Sequence, residues 1–153
     1  MEWHIAQVNI ALLAAPLDSP QLAGFVEMLE PINALAEDAP GFVWRLQTDG
    51  GDATGIRAFG DDRIIVNLTV WETVEALADY VYSSRHADVL RRRRDWFERM
   101  TEAHLALWWV PAGTIPTIEE AEERLATLRE RGPTPEAFTL RERFPAPTAH
   151  ATR

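Results

Sequence analysis

The strongest constraint on this chain lies between Ile64 and Pro111. IIVNLTVW alternates apolar and polar residues as a half-buried strand does, the helical stretch ETVEALADYVYSSRHADVLRRRRDWFERM follows, and HLALWWVP returns as a second strand. That order makes one β-α-β unit. The first half of the chain repeats the plan. Residues 3 to 14 alternate, with His4, Ala6, Val8, Ile10 and Leu12 on one side and Ile5, Gln7, Asn9 and Ala11 on the other.

Pro16 ends that strand, and Ser19 then stands as N-cap before Pro20, which has no N–H to leave unpaired at a first helical position. Leu22, Phe25, Val26, Leu29, Ile32 and Leu35 recur at helical spacing, with Pro31 inside the helix and a kink expected near Glu27 to Glu30. Pro40-Gly41 closes the unit. The strand FVWRLQ is expected to share Phe42, Trp44 and Leu46 on one face and Val43, Arg45 and Gln47 on the other. TDGGDATGIRAFGDD, residues 48–62, has no periodicity and reads as a hairpin loop; its glycines match neither G-x-G-x-x-G nor the P-loop spacing. The helical return after the third strand is expected to break near Ser83-Ser84.

Downstream, Thr117-Ile118-Glu119-Glu120 is a capping box, acids precede Arg124, Arg129 and Arg131 along the helix, and Gly132-Pro133 stops it. Phe138, Leu140 and Phe144 are the anchors expected of a C-terminal strap. Two split β-α-β units predict an α+β, ferredoxin-like antiparallel sheet with helices on one face. One domain is expected over residues 1–145, with 146–153 a frayed tail.

A net charge of -9 argues against nucleic acid or an anionic membrane surface as partner, and makes a neutral or cationic small molecule easier to accommodate. The absence of cysteine removes disulfides, thiolate nucleophiles and Cys-ligated metals, and fits a reducing cytoplasm. The first residues, MEWHIAQVNIALLAAP, lack a basic signal-peptide start, and no apolar run approaches the ~20 residues that span a bilayer. His86 and His104 lie on different elements without ligand spacing, so no metal site is expected. Nothing resembles a nucleophile elbow.

With the apolar strand faces placed against the helices, period two assigns Gln7, Asn9, Val43, Arg45, Gln47, Ile65, Asn67, Thr69 and Trp71 to the uncovered face. On the fourth strand Leu105, Leu107 and Trp109 make the better helix-facing set, which leaves His104, Ala106 and Trp108 for the open side. Bare to water, such a mixture of amides, a guanidinium and indoles marks an interface or a binding groove. Trp44, Trp96 and Trp109 read as core. The Arg91 to Arg94 run, flanked by Asp88, Asp95 and Glu98, reads as a solvated, ion-paired helix face.

HIAQVNIALLAAPLDSP, PGFVWRLQ, NLTVWETVEALADYVY, RHADVLRRRRDWFE, HLALWWVPAG and PTPEAFTLRERFPAP together resemble a bacterial domain family of unknown function (domain of unknown function 3291) over nearly the whole chain. More widely the chain is similar to the dimeric α+β barrel superfamily, which implies a homodimer with two sheets face to face and a cavity in each subunit. That superfamily includes cofactor-independent monooxygenases of antibiotic biosynthesis and haem-degrading monooxygenases. The resemblance implies a small-molecule-binding protein, as an enzyme a monooxygenase-like oxidoreductase acting without cofactor on an aromatic or polyketide-like substrate. The catalytic expectation is His86, Arg45 and Asn67, and the ligand-contacting expectation is Gln7, Asn9, Thr69, Trp71, His104 and Trp108. Arg45, Asn9 and Asn67 would donate to a phenolate or enolate oxygen, Trp71 and Trp108 would wall an aromatic ligand, and His86 or His104 would serve as base. Two alternatives stand beside it: a non-catalytic ligand-binding or dimerisation module, and a haem protein using Asn9, Trp71 and His86.

Overall fold

The structure, a computed structural model, describes residues 2–47, 63–82 and 92–147. Strand β1 (Trp3–Leu13) lies at the centre of the sheet. On one side it pairs antiparallel with β3 (Ile64–Trp71), from Ile5 opposite Trp71 to Leu12 opposite Ile64. On the other it pairs antiparallel with β5 (Leu105–Pro111), from Trp3 opposite Pro111 to Asn9 opposite Leu105. β2 (Phe42–Arg45) adds to the outer side of β3, and the short β4 (Phe97–Glu98) pairs with Leu12 and Leu13 at the end of β1. The order β2-β3-β1-β5 is the ferredoxin-like arrangement of two interleaved β-α-β units that the repeated plan predicts.

Helix α1 (Ala23–Asp38) follows a 3-10 turn at Pro20–Leu22 and carries Pro31 inside it, as expected. Ser19 occupies the cap position without capping: its hydroxyl is buried and has no hydrogen-bond partner among the described residues. α2 (Val74–Val81) starts at Thr73, whose hydroxyl accepts from the Ala76 amide at 3.0 Å. α3 (Arg93–Trp96) is a single turn, and α4 (Ile118–Arg131) begins with the Thr117 hydroxyl accepting from the Glu120 amide at 3.1 Å. Only that half of the capping box forms. The Glu120 carboxylate accepts instead from the Trp108 indole N–H at 3.0 Å, because a fully buried indole has no water to bond.

α1 and α2 lie on one face of the sheet, where Ala36, Trp71, Leu77, Leu107 and Phe138 pack together. The additional helix α4 lies on the other, pressing Ala121, Leu125 and Leu128 against Ala6, Val8, Leu68, Val70 and Trp108. Burial of each leucine contributes about 2 kcal/mol. This corrects one expectation. The row containing Gln7, Asn9, Asn67 and Thr69 lies beneath α1 and α2, on the side of Leu105, Leu107 and Trp109, and the apolar row was taken by α4. The physical reason is packing: Ala, Val and Leu side chains close flush on a helix stripe, whereas amides cannot meet leucines flush without losing hydrogen bonds.

β2 supplies a second correction. Phe42 pairs with Trp71 and Trp44 with Val70, so Val43 is an extra residue in a bulge, 40% exposed. The bulge separates residues that strict alternation would keep together. Phe42 meets Trp71 edge-on at 5.4 Å on the α1/α2 side, while Trp44 and Leu46 pack against the cluster under α4. Arg45 is thereby aligned with Thr69.

The C-terminal strap closes on its own chain. Leu107 and Phe138 exchange both backbone hydrogen bonds, at 2.8 and 2.9 Å, and the Trp109 indole donates to the Phe144 carbonyl at 2.9 Å. The outer side of β5 is therefore partly covered. No helix among the described residues is long and apolar enough to cross a membrane. The expected break at Ser83-Ser84 and the loop at 48–62 lie outside the described residues.

Candidate functional site

Where the polar row meets α1, the two layers leave a cavity of about 740 Å³. Its floor is Gln7, Asn9, Asn67 and Thr69 from the centre of the sheet, and its roof is Phe25, Leu29 and Ile32 of α1 with Tyr80 of α2. Arg45 lies at one end; Arg93, Arg94, Phe97, Glu98, Arg99 and His104 lie towards the other. The volume suits a small organic ligand, and an apolar roof over a few fixed polar groups is the usual composition of such a site.

The floor is a hydrogen-bonded unit. The Gln7 amide nitrogen donates to Asn67 Oδ1 at 3.1 Å and to Thr69 Oγ1 at 2.8 Å, and the Trp71 indole N–H donates to the same Thr69 oxygen at 2.9 Å. Both acceptor positions of the Thr69 hydroxyl are thus filled. Asn67 accepts with its oxygen, so its amide nitrogen is the end left to donate towards a ligand. Antiparallel register explains the assembly: Gln7 stands directly opposite Thr69 and Asn9 opposite Asn67.

Arg45 is nearly enclosed, its side chain 10% exposed, and its Nε donates to Glu37 Oε2 at 3.1 Å. Its terminal nitrogens lie outside that bond. Tyr80 stacks on Trp71 at 5.1 Å and donates its hydroxyl to the Ile32 carbonyl at 3.2 Å. Burial pushes the Tyr80 phenol up to about 12, against a smaller opposite pull from the Arg45 charge. Because the folded value is raised, the stability it contributes is complete below the ordinary value near 10 and is lost as pH climbs from about 10 to about 12. Wild type is expected to lose about 2 kcal/mol across that window beyond the loss of a Tyr80→Phe variant, read by denaturant titration at each pH.

Of the expected site residues, Gln7, Asn9, Arg45, Asn67, Thr69 and His104 border the cavity. Two do not. Trp108 points to the opposite face, fully buried under α4, because it stands opposite Ala6 in the register. Trp71 is fully buried, stacked against Tyr80, and supports the floor through Thr69 instead of facing a ligand. His86 lies outside the described residues. Tyr80 and Arg99 were not expected at the site, and Arg93 and Arg94 were expected on a solvated, ion-paired helix face, with an anion site as the lesser alternative; the signal was a run of arginines in a strongly acidic chain.

The family whose profile describes a domain of unknown function (DUF3291) matches residues 4–153, nearly the full length. The chain belongs to that family. No curated protein matches this DUF3291 chain. Among solved structures, a conserved protein from Methanosarcina mazei Go1 superposes with a TM-score of 0.51 at 11% identity, covering 69% of this chain and 90% of that one. PA3566 from Pseudomonas aeruginosa gives 0.50 at 10% identity, covering 74% and 98%. SnoaB, a cofactor-independent oxygenase from Streptomyces nogalater, gives 0.48 at 17% identity, also covering 74% and 98%. At these identities the first two show the shared α+β fold of this DUF3291 chain.

Proposed function

We propose that this chain binds a small planar aromatic molecule between its sheet and α1, and oxygenates it with O₂ alone. One observation carries the reading: a cavity of about 740 Å³ with an aliphatic and aromatic roof over a pre-bonded floor of amides and a hydroxyl, with the Arg45 guanidinium at its end. An electron-rich phenolate or enolate is the substrate type that passes an electron to O₂ without a cofactor. Conversion of a ring CH₂ to C=O with release of one water consumes one O₂ and needs no external reductant. Asn67 and Arg45 donate to the developing oxyanion, Asn9 stands beside them on the floor, and His104, which borders the cavity, serves as the base.

The test is oxygen uptake by the purified protein with a panel of anthrones, hydroxyquinones and phenols. Uptake of one O₂ per product is expected, and Arg45→Met is expected to lower the rate by roughly 100-fold, the usual cost of one oxyanion donor. Binding without uptake across the panel would leave a non-catalytic ligand-binding module. The haem reading has less support: Asn9 borders the cavity, but Trp71 is sealed beneath Tyr80 and presents no face to a macrocycle.

A homodimer belongs to the same proposal, with its mass read by light scattering. Since α4 covers the inner sheet face within one chain, the subunit contact would either displace α4 or use the exposed bulge of β2 at Val43.

A further inference from the structure

Resting on the cavity as the ligand site, we infer that the ligand is an organic anion, an aromatic carboxylate, whose charged head is held by Arg93, Arg94 and Arg99. In a chain of net charge -9, an unselected wall would carry more carboxylates than guanidiniums. This wall is the reverse. Its described residues include Arg45, Arg93, Arg94 and Arg99 against a single acid, Glu98.

The arginines are not equivalent. Arg45 is matched by Glu37 at 3.1 Å. Arg92, next in sequence but outside the wall, is held by Asp95 at 3.6 Å and lies over the Trp96 ring at 4.7 Å. Glu98 stands 3.6 Å from Arg63, which is not a wall residue. Arg93, Arg94 and Arg99 have no carboxylate partner among the described residues. They are exposed to solvent and ready to pair with an incoming group. All 15 basic residues of the chain are arginines, whose planar fork meets a carboxylate with two parallel hydrogen bonds where an ammonium gives a point charge.

The spacing sets the ligand's form. Thr69 and Arg45 sit level with Gln7, and Glu98 level with Leu12, five residues further along β1. That separation is roughly 16 Å of strand. Between the two ends the wall is Phe25, Leu29, Ile32 and Ile65. A fused-ring body fits this apolar middle, its reacting oxygen towards Arg45 and Asn67 and its carboxylate towards α3 and β4. The composition-based expectation of a neutral or cationic ligand is replaced, because net charge averages over a surface while a ligand meets only the local wall.

The test is calorimetric titration of the intact protein with 2-naphthoate, its neutral isostere 2-naphthamide and 2-naphthyl phosphate. The naphthoate is expected to bind roughly tenfold tighter than the amide, a gap that narrows as salt rises from about 50 to about 500 mM. A triple Arg93→Gln, Arg94→Gln, Arg99→Gln variant is expected to erase the gap, and a charge-matched Arg131→Gln, Arg141→Gln, Arg143→Gln control, outside the wall, to keep it. Should the triple variant not fold, the carboxylate-to-amide ratio and its salt dependence in the unaltered protein decide alone. Equal affinity for naphthoate and amide would overturn the inference and leave the aromatic site standing. Failure of all three probes to bind would overturn both. Tighter binding of the phosphate than of the naphthoate would overturn the carboxylate assignment in favour of a phosphate ester.

Discussion

Thr69→Val is expected to lower the stability of this protein by about 2–3 kcal/mol although valine has nearly the shape of threonine. The hydroxyl it deletes accepts two hydrogen bonds, from the Trp71 indole at 2.9 Å and from the Gln7 amide at 2.8 Å. Trp71 is fully buried, so its N–H finds no water and bears the full cost of an unmade bond, about 1–3 kcal/mol. Gln7 borders the cavity and keeps its bond to Asn67, so its share is the smaller. For a chain of this size the melting temperature falls by roughly 5–10 °C, followed by circular dichroism. Thr69→Ser, which keeps the oxygen and loses one methyl, is expected to cost about 1 kcal/mol. If valine and serine destabilise alike, the floor is not held together by this hydroxyl.

Gly41→Ala is expected to cost more, about 3–4 kcal/mol, through two effects that add. Gly41 has φ 84°, in the left-handed region that disfavours any side chain, and a Cβ placed there would sit 2.5 Å from the Ala76 Cβ. The neighbouring strand is tied to the same point, since the Glu72 amide donates to the Gly41 carbonyl at 2.7 Å. Relief of the clash must therefore push α2 outward, and Tyr80 moves with it away from Trp71. Gly113 is the internal control: its φ is 90° but nothing lies within 4 Å of its Cβ position. Gly113→Ala carries the backbone term alone, about 1–2 kcal/mol. Equal melting-temperature losses at the two glycines would show that the α2 contact yields freely.

Particular residues show how much was legible beforehand. The alternation of HIAQVNIALL and IIVNLTVW named the polar row correctly, and cross-strand pairing then brought Gln7 to Thr69 and Asn9 to Asn67. Alternation divides a strand into two sets but is silent on which set a given helix covers. That is why the polar row was expected in the open and is found beneath α1, and why Trp108 was expected at a ligand and is bonded to Glu120 instead. Val43 was illegible for a different reason: a bulge inserts one residue without any turn-forming signal, and everything beyond it changes side. Tyr80 carried no sequence signal of its own. Only the stacking on Trp71 and the bond to Ile32 give it a place at the cavity.

By itself the sequence determined the order of strands and helices, the ferredoxin-like pairing they permit, the Thr117 helix start and the identity of the polar strand positions. These rest on interactions between near neighbours in the chain, whose periodicity is written in the residues. The tertiary structure alone decided that α4 takes the apolar face, that the amides are roofed by α1 to make a cavity, and that Arg93, Arg94 and Arg99 border it in an acidic protein. Those outcomes depend on which surfaces compete for burial once the sheet exists, a comparison between segments distant in the chain that no local pattern contains.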